Sequence, residues 1–102
     1  MELGQVVLSK CGRDKDNNFV VISIDDNNQY VYLADGLLRK IESPKKKKAK
    51  HVAPLHVDKV LSGKLAEGTR ISNIEIKKCL SSFRQQNESS SFVNSLTQKE
   101  GG

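Results

Sequence analysis

The first half of the sequence predicts a small, mainly β domain, and the second half predicts one or two C-terminal helices. Short runs of β-branched and aromatic residues alternate with turn-forming residues over positions 1–56. Further along, apolar residues recur at helical spacing behind a capping sequence. The chain has 102 residues, so a single domain with a short appendage is expected.

Four strands are predicted, at residues 5–9, 19–24, 30–33 and 37–41, and a short fifth is expected around Val52. Turn formers at 25–28 and the pair Asp35–Gly36 separate the second, third and fourth strands. An open sheet of this size exposes unpaired edges, and closure removes them. The sequence therefore predicts an SH3-like small β-barrel over residues 1–56.

Tyr30 and Tyr32 lie on one face of the third predicted strand, because side chains alternate along a strand. That face is either core or an exposed surface on which bases can stack. Val31 and Leu33 compete for the core position. We expect the tyrosine pair in the core, since Val31 and Leu33 cannot fill both sides of so small a barrel.

The second half contains a helix start at Ser72, with Glu75 three residues later, as in a capping box. Ile76, Leu80 and Phe83 continue as an apolar stripe, which predicts a helix over 73–86. A weaker helix is predicted at 57–66, where Gly63 lowers the helix propensity. Residues 57–86 thus form a helical extension, and the polar composition of 87–102 predicts a flexible tail.

The formal net charge is +5, and its densest positive segment covers residues 39–50, where only Glu42 opposes seven cations. These cations are Arg39, Lys40, Lys45, Lys46, Lys47, Lys48 and Lys50. Crowded like charges repel, and a phosphate backbone relieves the repulsion and releases counterions. A solvated loop without a partner is the alternative.

A second basic segment occupies the loop after the first strand, where Lys10, Arg13 and Lys15 surround Gly12. Asp14 and the following Asp16 partly cancel this charge. By composition alone the segment is equally consistent with an ordinary polar hairpin.

Residues 4–7, 10–15 and 19–22 resemble a KOW motif, the strand–loop–strand unit of ribosomal and transcription-elongation proteins. The continuation through 25–36, the lysine run and 51–55 is similar to the eukaryote-type large-subunit ribosomal protein family numbered fourteen and to bacterial KOW-domain RNA-binding proteins of that kind. The resemblance implies an SH3-like barrel that contacts ribosomal or other structured RNA, with ribosomal proteins as further possible partners. It assigns RNA contacts to Lys10, Gly12, Arg13 and Lys15, and it includes His51 in the basic region.

This chain departs from the motif where a second glycine usually precedes the second strand. Asp16 and two asparagines stand there instead. Asparagine tolerates a left-handed backbone, but Asp16 adds negative charge where RNA is expected to approach. We therefore expect the lysines after Pro44 to contribute more to RNA binding than this loop does.

Other functional classes find little support in the sequence. Cys11, Cys79, His51 and His56 lack the spacing of a zinc site, so neither a metal nor a cofactor is expected. No nucleophile–base pattern or phosphate-binding glycine loop points to an enzyme or a small-molecule substrate. With neither a signal peptide nor a membrane-spanning segment recognisable, the expected location is cytoplasmic.

The sequence thus predicts a ribosomal-type RNA-binding protein that grips structured RNA through a basic loop and a lysine-rich run. The alternative is an SH3-like protein-interaction module in the translation or transcription machinery, to which the 73–86 helix could contribute a docking face.

Overall fold

Five antiparallel strands form one sheet, and two helices follow it. The computed structural model describes residues 1–96, with side chains described as far as residue 85. The strands are β1 (Gln5–Ser9), β2 (Asn18–Ile24), β3 (Tyr30–Ala34), β4 (Lys45–Lys48) and β5 (Val52–Val57). The helices are α1 (Lys59–Ala66) and α2 (Asn73–Leu96), and a 3₁₀ turn (Ala49–His51) joins β4 to β5.

The strand order in the sheet is β4-β3-β2-β1-β5, and every pair is antiparallel. The predicted mainly β domain with C-terminal helices is therefore confirmed. The two edge strands, β4 and β5, do not pair with each other in the described part of the chain, so the sheet is open. Closure into a barrel is not confirmed.

The two faces of the sheet bury separate apolar clusters. On one, called the inner face here, β1, β2, β3 and β5 contribute Val7, Phe19, Val21, Val31, Leu33 and Val52. On the other, the helix face, Val6 and Val20 pack with Leu61 of α1 and with Ile76 and Leu80 of α2. The helices thus cover β1 and β2 on one side of the sheet.

The expectation that Tyr30 and Tyr32 fill the core is wrong. Val31 and Leu33 are fully buried in the inner-face cluster, and the two tyrosines are half-buried on the opposite side of β3. The inner face has enough apolar volume from four strands, so the two aliphatic side chains of β3 complete it. The tyrosines therefore belong to the helix face of the sheet.

The predicted fourth strand at 37–41 is also wrong, because this segment is a loop between β3 and β4. The Asp35 carboxylate accepts hydrogen bonds from the backbone N–H groups of Leu37 and Arg39, both at 2.8 Å, which curls the chain. Ile41 N–H donates to Asn73 Oδ1 at the start of α2, 2.8 Å away. These bonds divert the segment from the sheet towards the helix.

The lysine run supplies the missing strand. Residues 45–48 form β4 and pair with β3, with Tyr30 opposite Lys48 and Tyr32 opposite Lys46. Lysine has low β-propensity, which is why composition does not predict a strand here. It is nevertheless suited to an edge strand, where charge discourages pairing with another chain.

The capping box at the start of α2 is confirmed. Ser72 N–H donates to Glu75 Oε2 at 2.9 Å, and Glu75 N–H donates to Ser72 Oγ at 3.3 Å. The weaker helix is present as α1, whose N-cap Asp58 accepts from Leu61 N–H at 3.1 Å.

Helix α2 continues past residue 86 to Leu96, so the first part of the predicted flexible tail is helical. No glycine or proline interrupts the sequence between Asn73 and Leu96, and nothing local stops the helix. The rest of the predicted tail, residues 97–102, lies outside the described residues.

Candidate nucleic-acid interface

The structure brings the two predicted basic segments together at β4. Arg13 of the β1–β2 loop, Arg39 of the β3–β4 loop and Lys45 and Lys47 of β4 line one cavity of about 340 Å³, called the loop cleft here. Two acidic residues, Asp14 and Asp35, also line it. Residues more than thirty positions apart thus face one another because β4 returns along β3 beside the first loop.

Within the loop cleft, Asp14 organises a hydrogen-bonded network. Its Oδ1 accepts from Lys47 Nζ at 2.9 Å and from Ser9 Oγ at 3.0 Å. The same Lys47 ammonium donates to the Cys11 carbonyl at 2.8 Å. Lys45 Nζ lies 3.5 Å from Asp14 Oδ2 as an ion pair, and no described group donates a hydrogen bond to that oxygen.

The pKa of Asp14 lies below its ordinary value. Burial acts to raise it, but the hydrogen bonds from Lys47 and Ser9, together with the charges of Lys45 and Lys47, act in the opposite direction and outweigh burial. The side chains of Lys47 and Asp14 are only 9% and 12% exposed. Lys47 is therefore a structural residue that holds the first loop to β4, and half-buried Lys45 shares the same counter-charge.

Gly12 and Asp16 give the β1–β2 loop its path. Gly12 has φ +88°, and an added Cβ would lie 3.3 Å from Lys47 Nζ. Asp16 also has a left-handed backbone, with φ +73°. This conformation costs more for a residue with a Cβ than for glycine.

The outward residues of β3 and β4, which belong to the helix face of the sheet, form a second surface at its edge, called the open face here. Tyr30 and Tyr32 lie beside Lys48 and Lys46 across the two strands. Lys46 Nζ sits over the Tyr30 ring, 4.5 Å from its centroid. Both lysines are exposed, so alternation along β4 divides the lysine run into an inward pair and an outward pair.

At one end of the open face is a second cavity, of about 500 Å³, called the turn cleft here. It lies between the β2–β3 turn and the 3₁₀ turn, and it is lined by Asn28, Gln29, Tyr30, Lys48, Ala49 and Lys50. Sequence reasoning missed Asn28 and Gln29 altogether. The alternation of Tyr30 with aliphatic residues was the only signal that β3 could present an aromatic ring outward.

The remaining predicted residues occupy neither cleft. Lys10, Lys15 and Lys40 are exposed on the two loops. His51 is half-buried in the 3₁₀ turn, and its backbone carbonyl accepts from Lys10 N–H at 2.9 Å. His51 therefore anchors the first loop through its backbone.

Most of the exposed cations near the two clefts form no ion pair with a described carboxylate. Among the side chains that the structure describes, the ion pairs are Lys45–Asp14, Lys47–Asp14 and Lys64–Glu75. In that same part of the chain, five exposed cations near the clefts have no carboxylate within 4 Å: Arg13, Arg39, Lys46, Lys48 and Lys50. Phosphate groups can approach these side chains without first breaking a salt bridge.

Over the described residues, no group of three or more histidine, cysteine, aspartate or glutamate side chains is arranged to hold a metal ion. Cys79 is buried, and burial, followed by the neighbouring Asp58, raises its pKa to about 12, so it remains a thiol at neutral pH. None of the helices, within the part of the chain described, is both long enough and apolar enough to cross a membrane.

No protein-family model matches the chain, and a search of curated proteins finds none that is significantly similar to it.

Proposed function

We propose that this protein binds RNA and that its basic surface around β4 holds RNA phosphates. One observation carries the proposal: exposed cations from three separate segments gather at one edge of the sheet, and none of them has a carboxylate within 4 Å among the described side chains. Arg13, Arg39 and the exposed lysines of 46–50 occupy both sides of this edge strand. The acidic residues of the loop cleft are engaged within the protein, since Asp14 pairs with Lys45 and Lys47 and Asp35 caps the β3–β4 loop. The exposed cations are therefore left to bind an external anion.

The proposed fold is a KOW-type, SH3-like barrel, and the proposed RNA is structured, ribosomal-type RNA. Strand order β4-β3-β2-β1-β5, a 3₁₀ turn between the edge strands and a buried inner face support the barrel. The resemblance to KOW proteins supports the choice of RNA. A binding protein of this kind acts without catalysis, in the cytoplasm and beside ribosomal proteins.

Binding through these cations is expected to depend steeply on salt. If about five phosphates are neutralised, log K falls with log salt at a slope of roughly −3.5 to −4.5. An affinity that does not change with salt contradicts the proposal.

The decisive variant replaces the exposed lysines Lys46, Lys48 and Lys50 by Gln and leaves Lys45 and Lys47 intact, because Asp14 uses those two to hold the fold. Fluorescence anisotropy with a labelled structured RNA, at several salt concentrations, is expected to show the magnitude of the salt slope reduced by about 2 to 3.

The matched control replaces Lys59, Lys77 and Lys78 by Gln. These three lysines are also exposed but lie on the helices. The two triple variants change net charge equally, so net charge alone predicts equal losses. An equal loss in both would show that the edge of the sheet is not the binding surface.

Protein interaction is a second candidate function, and one observation favours it. Leu37 and Ile74 are each 62% exposed and line a groove beside α2 together with Lys77, Lys78 and Arg84. A partner segment with acidic and apolar side chains suits this groove. A partner that stays bound after nuclease treatment, and that is lost on Ile74→Asn, would favour this function.

A further inference from the structure

We propose that the turn cleft receives a single unpaired nucleotide of RNA, with its base stacked on Tyr30 and its flanking phosphates on Lys48 and Lys50. This inference rests on the proposed RNA-binding function and deepens it, because it assigns a conformation of RNA to one site. The cavity of about 500 Å³ is within the range of small-ligand sites, and it is large enough for a nucleotide.

Hydrogen bonds hold the walls of the turn cleft in place. Ala49 N–H donates to the Gln29 carbonyl at 2.8 Å, which ties the 3₁₀ turn to the β2–β3 turn. The Asp25 carboxylate accepts from the N–H groups of Gln29 and Tyr30 at 2.9 and 3.1 Å. Because both turns are tied, the site is formed before any ligand arrives, which lowers the entropic cost of binding.

The wall residues have the chemistry that a nucleotide needs. The side-chain amides of Asn28 and Gln29 carry both donors and acceptors, as the edge of an unpaired base does. Lys48 and Lys50 supply positive charge, and none of the residues that line the cleft in the described structure is acidic. The acidic residues nearest along the chain are Asp25, whose carboxylate caps the turn, and Asp26, which is exposed.

Lys46 now covers the Tyr30 ring, at 4.5 Å from its centroid. A cation over an exposed ring contributes about 2- to 5-fold to an equilibrium, whereas stacking of a base on an aromatic ring contributes about 5- to 150-fold. A base is therefore able to displace the ammonium. The released Lys46 remains beside the cleft, where a phosphate can take the place of the ring as its partner.

An unpaired base is required because a base inside a duplex is already stacked on both faces and its pairing edge is occupied. A duplex can still bind the lysines through its phosphates. The inference therefore separates two kinds of binding: phosphate contacts, which both RNA forms make, and stacking on Tyr30, which only the unpaired form makes.

Tyrosine fluorescence gives a direct test, because the chain has two tyrosines and no tryptophan. In the Tyr32→Phe variant, Tyr30 is the only remaining tyrosine. Titration with a single-stranded oligouridylate decamer is expected to quench its emission, and a duplex of equal length is expected to bind with little quenching. Equal quenching by both RNA forms would overturn the inference.

Affinity measurements provide the second readout. Tyr30→Leu is expected to weaken binding of the single-stranded decamer by about 5- to 100-fold and to leave binding of the duplex within about twofold. Tyr30→Phe keeps the ring and is expected to retain the affinity. Tyr32→Leu is the matched control, since Tyr32 shares the open face but does not line the turn cleft, and circular dichroism checks that each variant is folded.

The outcomes separate the two proposals. If the unaltered protein binds both RNA forms and Tyr30→Leu behaves as Tyr32→Leu does, the nucleotide site is wrong and phosphate binding stands. If the unaltered protein binds neither RNA form at low salt, the proposed function fails and the nucleotide site fails with it.

Discussion

Asp14 is the counter-charge on which the inward lysines of β4 depend, and Asp14→Asn is expected to destabilise the protein by about 2–3 kcal/mol. The change leaves the Lys47 ammonium, with only 9% of its side chain exposed, without a negative partner. Breaking a fully buried pair costs about 3–5 kcal/mol, and an exposed pair contributes less than about 1 kcal/mol. The pair in the loop cleft is nearly but not fully buried, which places its cost between these limits.

Urea denaturation at neutral pH measures this loss, and thermal unfolding should show a midpoint lowered by about 10–20 °C. The control is a double-mutant cycle with Lys47→Met. In the Lys47→Met background, Asp14→Asn removes no partner from a buried ammonium, so its cost is expected to fall below about 1 kcal/mol.

The same pair predicts a pH dependence. Since the pKa of Asp14 is lowered on folding, its contribution to stability is fully present above the ordinary value of 3.8 and is lost as the pH falls through the lowered value. Asp14→Asn is expected to remove that part of the acid sensitivity.

Additive effects of Asp14→Asn and Lys47→Met would refute this reasoning. So would a loss of less than about 0.5 kcal/mol on Asp14→Asn, the range of an ordinary surface substitution. Either result would mean that the network in the loop cleft does not hold the first loop to β4.

Two further predictions concern residues with a left-handed backbone. Asp16→Gly is expected to raise the free energy of unfolding by about 1 kcal/mol, because glycine relieves the strain of φ +73°; an unchanged urea midpoint would contradict the strain. Gly36→Ala is expected to lower the free energy of unfolding by about 2–4 kcal/mol, because the new Cβ would clash with the Asn73 carbonyl oxygen and φ is +80°. Gly63→Ala is the matched control for the glycine change, since its added Cβ meets no described atom within 4 Å apart from its own helix backbone and chain neighbours, and it should be neutral or stabilising.

Elements with local causes could be predicted from the sequence. The start of α2 depends on Ser72 and Glu75, three residues apart, and the structure contains that reciprocal cap. The first three strands also follow from local runs of β-branched and aromatic residues. The end of α2 was misplaced, because polar composition alone does not stop a helix that meets no glycine or proline.

The segment between β3 and β4 shows where local reasoning fails. Leu37 and Leu38 look like strand residues, but Ile41 bonds to Asn73, a partner 32 positions away. Gly36 fits closely against the same helix. Such contacts between residues distant in the sequence override the β-propensity of a short apolar run. The edge of β3 then pairs with the lysines of β4 instead.

The sequence by itself determined the mainly β first half, the helix starts and the excess of positive charge. Only the tertiary structure decided which of these charges are free to bind a partner. The direction of each lysine in β4 depends on its register with β3, and the pairing of Lys47 with Asp14 joins residues 33 positions apart. Four consecutive lysines are equivalent in the sequence, but alternation along the strand makes two of them structural and leaves the other two facing solvent.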